Sequence, residues 1–162
     1  MAQPPELIAV TGANGYLGRH IMALLGDRGF GVHGDRYELC RGMTVIHAGW
    51  AVPTTMAGGL AHEQALCVTL TKHLIASQPK RIVFVSTLTG GGPYLDAKRQ
   101  AEDIVKASNI PHTILRFPGL FGYPKQRGVI WENLMHGAPL PDPYACLHVV
   151  LAARECVRCA YS

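Results

Sequence analysis

Charge is scarce in this chain: Asp, Glu, Lys and Arg together make up 16% of its 162 residues, against about 25% in an average soluble domain. With 48% hydrophobic residues and a mean hydropathy of +0.13, disorder is excluded as the main state. The net charge of +4 is not gathered into any Lys/Arg-rich block, so a nucleic-acid partner is disfavoured. There is no basic N-terminal region, and the apolar run Leu7–Val10 is far too short for a signal sequence or a membrane span. A cytoplasmic protein without membrane contact is therefore expected. Eight His are present, but none form H-x-x-x-H or H-E-x-x-H pairs, and no metal site is expected. Of Cys40, Cys67, Cys146, Cys156 and Cys159, only the last two form a C-x-x-C, with no second pair to complete a zinc site; reduced, packing thiols are expected. No repeat, linker or low-complexity tract divides the chain, so residues 1–162 are read as a single domain with one core.

What is present is an alternation of short apolar runs and amphipathic stretches. Leu7–Val10 reads as a strand buried on both faces, followed by a helix from Tyr16 to Gly26 with Leu17, Ile21, Leu24 and Leu25 inward. Gly31–Asp35 reads as a weaker strand and Thr44–Ala48 as another. A helix over Leu60–Ser77 leads to the strongest strand, Arg81–Ser86. The next helix, Tyr94–Ser108, turns Ala97, Ala101, Ile104 and Val105 inward and Lys98, Arg99, Glu102, Asp103 and Lys106 outward. His112–Arg116 is a further strand, and after a loop containing Pro139, Pro141 and Pro143 a last helix runs from Leu147 to Cys159. Alternating β and α with buried strands predicts an α/β fold: a parallel sheet of about five strands flanked by helices.

Between the first strand and first helix, Gly12, Gly15 and Gly18 are spaced G-x-x-G-x-x-G. The first permits a tight turn, the second lets backbone approach a pyrophosphate, and the third lets helix and strand pack closely. The helix N-terminus then offers N–H groups to a diphosphate.

Thr11–Gly18 resembles the cofactor motif of extended and atypical short-chain dehydrogenases/reductases, the group that includes nucleotide-sugar epimerases and dehydratases. Val45–Ala48 is similar to that group's motif beside the adenine and ribose, and Arg81–Thr87 to the strand that ends in a catalytic Ser/Thr. Tyr94–Lys98 matches Y-x-x-x-K, Ile114–Gly122 looks like the family's LRP segment, and Leu147–Val149 is similar to its late HV-x-D element. The resemblance implies a Rossmann-like NAD(P)-binding domain. It implies cofactor contacts from Gly12, Asn14, Gly15, Tyr16, Leu17, Gly18, Asp35, Arg36, His47, Ala48, Lys98 and Pro118. It implies catalysis by Tyr94 and Lys98 with a hydroxyl from Thr87, or next Ser86. Four residues apart on a helix, Lys98 is expected to lower the Tyr94 pKa and make the phenol a usable acid/base. Arg116 either faces the cleft, where it could meet a phosphate or carboxylate, or forms a salt bridge. Trp50 and Trp131 either border the cleft or fill core space.

Departures from the family pattern matter as much. The Asn of the helix after the fourth family strand would align near Ala65, and the late Asp has no counterpart where Leu151 stands. Only eight residues separate Asp35 from Thr44, too few for the family's third strand and adenine loop, so the order 2-1-4-5-6 and a shallow adenine side are expected. That leaves a crossover shorter than the usual dozen or so residues, with either a frayed second strand or an irregular path. The substrate lobe is expected to be reduced or missing. Asp35 beside Arg36 leaves NAD or NADP open, with a lean to NADP from Arg36.

The expected activity is an NAD(P)-dependent oxidoreductase or epimerase-like reaction on a carbonyl or secondary alcohol of a small substrate. The alternatives are a catalytically reduced dinucleotide-binding module and a repurposed, non-redox member of the fold. By resemblance, the helices Leu60–Ser77 and Tyr94–Ser108 imply a homodimer.

Overall fold

The computed structural model describes residues 6–51, 61–123, 136–137 and 146–162. Trp131, the three loop prolines and the expected helix start at Leu60 lie outside them. The elements are β1 (Ile8–Thr11), α1 (Tyr16–Leu25), β2 (Gly29–Val32), β3 (Thr44–His47), α2 (Ala61–Ala76), β4 (Arg81–Thr87), α3 (Gly92–Ala107), β5 (His112–Phe117), β6 (Gly119–Phe121), β7 (Cys146–His148) and α4 (Val149–Ala160).

The main sheet is wholly parallel, with order β2-β1-β3-β4-β5. This is the order expected once the third family strand is removed. Side-chain alternation divides the sheet into two faces. Ile8, Val10, Ile46 and Val83 pack with α1 and α4 through Leu17, Ile21, Ala152, Ala153 and Cys156. Ala9, Val45, Ile82 and Phe84 pack with α2 and α3 through Leu74, Ala101 and Val105. Both faces are covered, which is why these strands read as continuous apolar runs.

The short crossover is resolved by a single 3-10 turn. Residues 33–43 hold no strand; Tyr37–Cys40 form the turn and bury Tyr37 and Cys40 against the α2/α3 face. Gly42 N–H then donates to Gln78 O at 3.0 Å and Lys80 N–H to Met43 O at 2.9 Å, tying the crossover to the loop before β4. Beside the main sheet, β6 and β7 form a small parallel pair that periodicity did not indicate. Three residues are too few to show alternation.

Four expectations need correction. The second strand spans Gly29–Val32, not 31–35, because the chain turns at Gly34 with φ +66°. Leu24 is exposed; the helix face that packs repeats every fourth residue through Leu17, Ile21 and Leu25. Cys146–Leu147–His148 is strand, so the last helix starts at Val149. Lys98 and Glu102, read as outward, are both buried, at 4% and 0% exposure. They share the inward stripe of α3 with Val105, where side-chain bonds compensate their polarity. Cys156 and Cys159 are buried packing thiols as expected, and burial pushes Cys156 up to about 12.

Candidate functional site

In a parallel sheet all strand C-termini lie along one edge, and the candidate residues gather there. The glycine turn after β1 is tightly built. Gly12 has φ +68°, and a Cβ on it would stand 2.6 Å from Gly49 Cα. A Cβ on Gly18 would stand 1.9 Å from Gly12 O, so the third glycine is needed because α1 rests on the turn itself. Gly15 N–H donates to Gly12 O at 2.9 Å. The N-terminus of α1 has no side-chain cap and no acidic residue in its first turn, which leaves its positive end to an anion.

This turn forms one wall of an open cleft of about 390 Å³, with Gly12, Asn14 and Gly15 facing His33, Gly34 and Tyr37 at the end of β2, and Gly49, Trp50 and Cys67 on the third side. Ala48 precedes Gly49 and packs half-buried on the core. The glycine cradle and uncapped helix end fit a diphosphate. Asp35 and Arg36, expected at the ribose, stand exposed in the turn beyond β2. The residue directly after the strand, and lining the cleft, is His33.

Tyr16 and Leu17 belong to the turn by backbone alone. Tyr16 Oη–H donates to Gly122 O at 2.8 Å and joins α1 to the end of β6, while the Leu17 side chain lies in the core. Pro118 sits half-buried between β5 and β6.

His47 is not available to a ligand, contrary to expectation. It is fully enclosed at 2% exposure. Gly49 N–H donates to Thr11 Oγ1 (3.0 Å), and Thr11 Oγ1 bonds His47 Nδ1 at 2.6 Å. On the other side of the ring, Nε2 bonds Thr71 Oγ1 (3.2 Å), whose own hydroxyl donates to Cys67 O at 2.9 Å. Thr71 has thus given its proton away, so His47 carries its hydrogen on Nε2 and accepts at Nδ1. Burial, reinforced by the nearby Lys98 charge, lowers its pKa to about 3. His47 holds the cleft wall from behind.

At the end of β4 successive residues face opposite ways, which separates the two candidate hydroxyls. Ser86 Oγ donates to Glu102 Oε1 at 2.5 Å, inside a buried ionic cluster on α3. The Ser86 hydroxyl proton is spent there, inside the α3 cluster. Thr87 Oγ1 donates to Thr89 O at 2.6 Å and accepts from Thr89 N–H at 3.1 Å, beside the Tyr94 phenol. Burial raises the Tyr94 pKa, and the neighbouring Thr87 hydroxyl only partly offsets this.

Lys98 does not lower that pKa. Its Nζ is turned away, donating to Val85 O at 2.8 Å and lying 4.0 Å from the centre of the Trp50 ring. Burial brings the Lys98 amine itself down to about 7. Arg116 is engaged in an ion pair with Glu102, Nη2–Oε2 2.5 Å, and is not free for a phosphate. Ala65 is exposed.

Gln64, Cys67 and Gly90 were missed. Gln64, 1% exposed, bonds Trp50 Nε1–H at 2.8 Å and Ala51 O at 2.9 Å. A readable signal existed: Gln64, Cys67, Thr71 and Leu74 recur at helical spacing, which places a polar residue in a buried stripe. Gly90, with φ +116°, lies against Tyr94; a Cβ there would stand 2.9 Å from Cδ1. Among the described residues no helix is long and apolar enough to cross a membrane, and no group of His, Cys, Asp or Glu could hold a metal ion.

The fold is Rossmann-like. No family model and no curated protein matches the sequence, but solved structures do match the fold. A UDP-N-acetylglucosamine 4-epimerase from Methanobrevibacter ruminantium M1 superposes with TM-score 0.72 at 16% identity, over 99% of this chain and 74% of that one. The dTDP-4-dehydrorhamnose reductase of Bacillus anthracis, in complex with NADP, gives 0.72 at 14% identity over 98% and 72%. The Bordetella bronchiseptica enzyme WbmH, in complex with NAD+, gives 0.69 at 16% identity over 97% and 72%.

Proposed function

We propose that this protein is an NAD(P)-dependent oxidoreductase or epimerase-like enzyme acting on a carbonyl or secondary alcohol of a small substrate. The observation that carries this reading is the placement of the Gly12–Gly18 cradle and the Thr87–Tyr94 pair on one edge of a parallel sheet, after β1 and β4. The known enzymes that share the fold, with NAD+ or NADP bound, support it.

Gly12, Asn14, Gly15 and the first-turn N–H groups of α1, including those of Tyr16, Leu17 and Gly18, hold the diphosphate. Ala48 and Gly49, after β3, lie between the cradle and the end of β4, and Pro118, after β5, lies on its other side. Arg36, in the turn after β2, is the residue for a 2′-phosphate and gives the lean to NADP over NAD. The bound dinucleotide supplies or accepts the hydride. Tyr94 Oη holds its proton at neutral pH because burial raises its pKa, and donates it to the substrate oxygen as carbonyl becomes alcohol. Thr87 is the hydroxyl beside that phenol. The location is cytoplasmic. The protein is a homodimer through α2 and α3, which pack side by side on one face of the sheet; a monomeric mass by light scattering rejects that part.

A second reading has its own observations. Lys98 points to Val85 O and not toward Tyr94, Ala65 is exposed, and Leu151, 50% exposed, stands at the position of the late Asp. These favour a dinucleotide-binding module that has lost redox chemistry. Titration calorimetry with NAD+, NADP+, NADH and NADPH tests both. Binding followed by turnover of a carbonyl panel supports the enzyme, binding without turnover supports the module, and no binding sinks both.

A further inference from the structure

Lys98 does not reach the cleft, and the reason is Trp50. The ammonium lies 4.0 Å from the centre of the indole and 5.4 Å from that of Phe84, and donates to Val85 O at 2.8 Å. Trp50 itself lines the cleft. With Lys98 only 4% exposed, the indole stands between the amine and the open space.

The indole is held in place by α2. Trp50 Nε1–H donates to Gln64 Oε1 at 2.8 Å, and Gln64 Nε2 donates back to Ala51 O at 2.9 Å. Ala51 N–H rests on Cys67 Sγ at 3.3 Å. Gln64 is 1% exposed and uses both ends of its amide on the Trp50–Ala51 segment. Phe84 meets the indole edge-on at 6.1 Å, leaving the ring clamped mainly through its N–H.

Because β3 lies between β1 and β4 in the sheet, Gly49 and Trp50, just past β3, stand between the glycine cradle and the end of β4 that leads to Tyr94. We propose that Trp50 is a latch on Lys98: Gln64 holds the indole over the amine in the ligand-free protein, and a dinucleotide that extends beyond Gly49 binds the form in which the indole has left Gln64. The proposal rests on the dinucleotide reading above and deepens it. A ligand that occupies only the cradle carries no opening cost. One that reaches past Gly49 binds more weakly by the fraction of open protein. Released, Lys98 faces the cleft as a positioning group four residues from Tyr94.

The test uses the full chain with Trp131→Phe, so that Trp50 is the only one of the two Trp left to report. Saturating NAD+ is expected to shift Trp50 emission and ADP to leave it unchanged. Gln64→Leu, which removes both amide bonds, is expected to tighten NAD+ roughly tenfold, as for a latch open about a tenth of the time, with ADP affinity held within about twofold. NAD+ binding with Trp50 emission as in ADP overturns the latch. So does a Gln64→Leu effect equal for the two ligands, which marks Trp50 as a plain wall residue.

A second measurement needs no ligand. Acylation of Lys98 by an amine reagent, counted by mass spectrometry against the 60%-exposed Lys80, is expected to rise at least tenfold in a cooperatively folding Trp50→Ala variant. An unchanged rate overturns the latch. Should NAD+ and NADP+ both fail to bind wild type, the dinucleotide reading falls by itself, and the acylation rate alone decides whether Trp50 covers Lys98.

Discussion

The Glu102 carboxylate and the Arg116 guanidinium meet in a two-pronged ion pair, Nη2–Oε2 2.5 Å and Nε–Oε1 3.0 Å. Ser86 Oγ and Arg99 Nη1 converge on the same Oε1, each at 2.5 Å. Burial alone would raise the Glu102 pKa, but Arg116, Ser86 and Arg99 outweigh it and hold it at about 2. Glu102→Ala is expected to cost about 1–3 kcal/mol, since it strands the buried Ser86 hydroxyl among facing cations. Arg116→Ala is expected to cost less, because Arg99 and Ser86 remain on the carboxylate and Arg116 is 42% exposed. Guanidinium unfolding midpoints check the order, and equal losses contradict it.

Acid sensitivity follows from His47. Its folded pKa is about 3 against 6.5 unperturbed, so between those values the unfolded chain binds the extra proton. Stability therefore falls as pH drops through that window, and Glu102 adds a further loss between 4.5 and about 2. Urea midpoints of wild type are expected to decline from pH 6.5 to 4.5. His47→Gln should begin lower, having lost the fit between Thr11 and Thr71, and stay flat over that interval.

Alkaline behaviour follows from Lys98, with a slope of the same sign. The folded amine loses its proton near 7 and the unfolded one near 10.5, so the unfolded state holds more protons in between and stability rises with pH. Burial pushes Cys40 up from 9.0 to about 11 and so opposes this rise above pH 9. The clean window is pH 7 to 9, where the slope is at most about 1.4 kcal/mol per pH unit. Lys98→Met is expected to remove the rise in thermal or urea midpoints across that window.

Glycine substitutions should divide by space and not by residue type. Gly18→Ala, with its Cβ 1.9 Å from Gly12 O, is expected to cost about 3 kcal/mol, the upper end of overpacking. Gly91→Ala meets nothing within 4 Å and should stay within about 0.5 kcal/mol of wild type. Denaturant titration of both variants measures the contrast.

Tyr94→Phe removes the proposed acid without disturbing the cradle. It is expected to lower kcat by about 10²–10⁴-fold and to leave the dinucleotide Kd within about threefold. Ser86→Ala should lower stability, its hydroxyl being spent on Glu102, while Thr87→Val should lower kcat. A Ser86→Ala loss of kcat larger than that of Thr87→Val reverses the assignment of the two hydroxyls.

Much of the candidate site is legible in the sequence. Strand–glycine–helix spacing located the cradle, and Tyr94 and Lys98 fell on one helix as expected. The misreadings share a cause. Charge alone suggests an outward position for Lys98 and Glu102, and the Val45–Ala48 motif suggests a ligand contact for His47; for Arg116 the salt-bridge alternative is the one the structure shows. In each case an unpredicted partner satisfies the group: Val85 O and the Trp50 face for Lys98, four donors for Glu102, Thr11 and Thr71 for His47, and Glu102 for Arg116.

By itself the sequence determined the doubly covered parallel sheet, its missing strand, and the glycine turn. These depend on local periodicity and on connection length, both of which are written along the chain. Only the tertiary structure decided which polar side chains face a ligand and which are enclosed, because that depends on partners 13 to 48 residues away in sequence. Lys98 shows the difference most plainly: its spacing from Tyr94 is a property of the helix, but its direction is set by Trp50 and Val85.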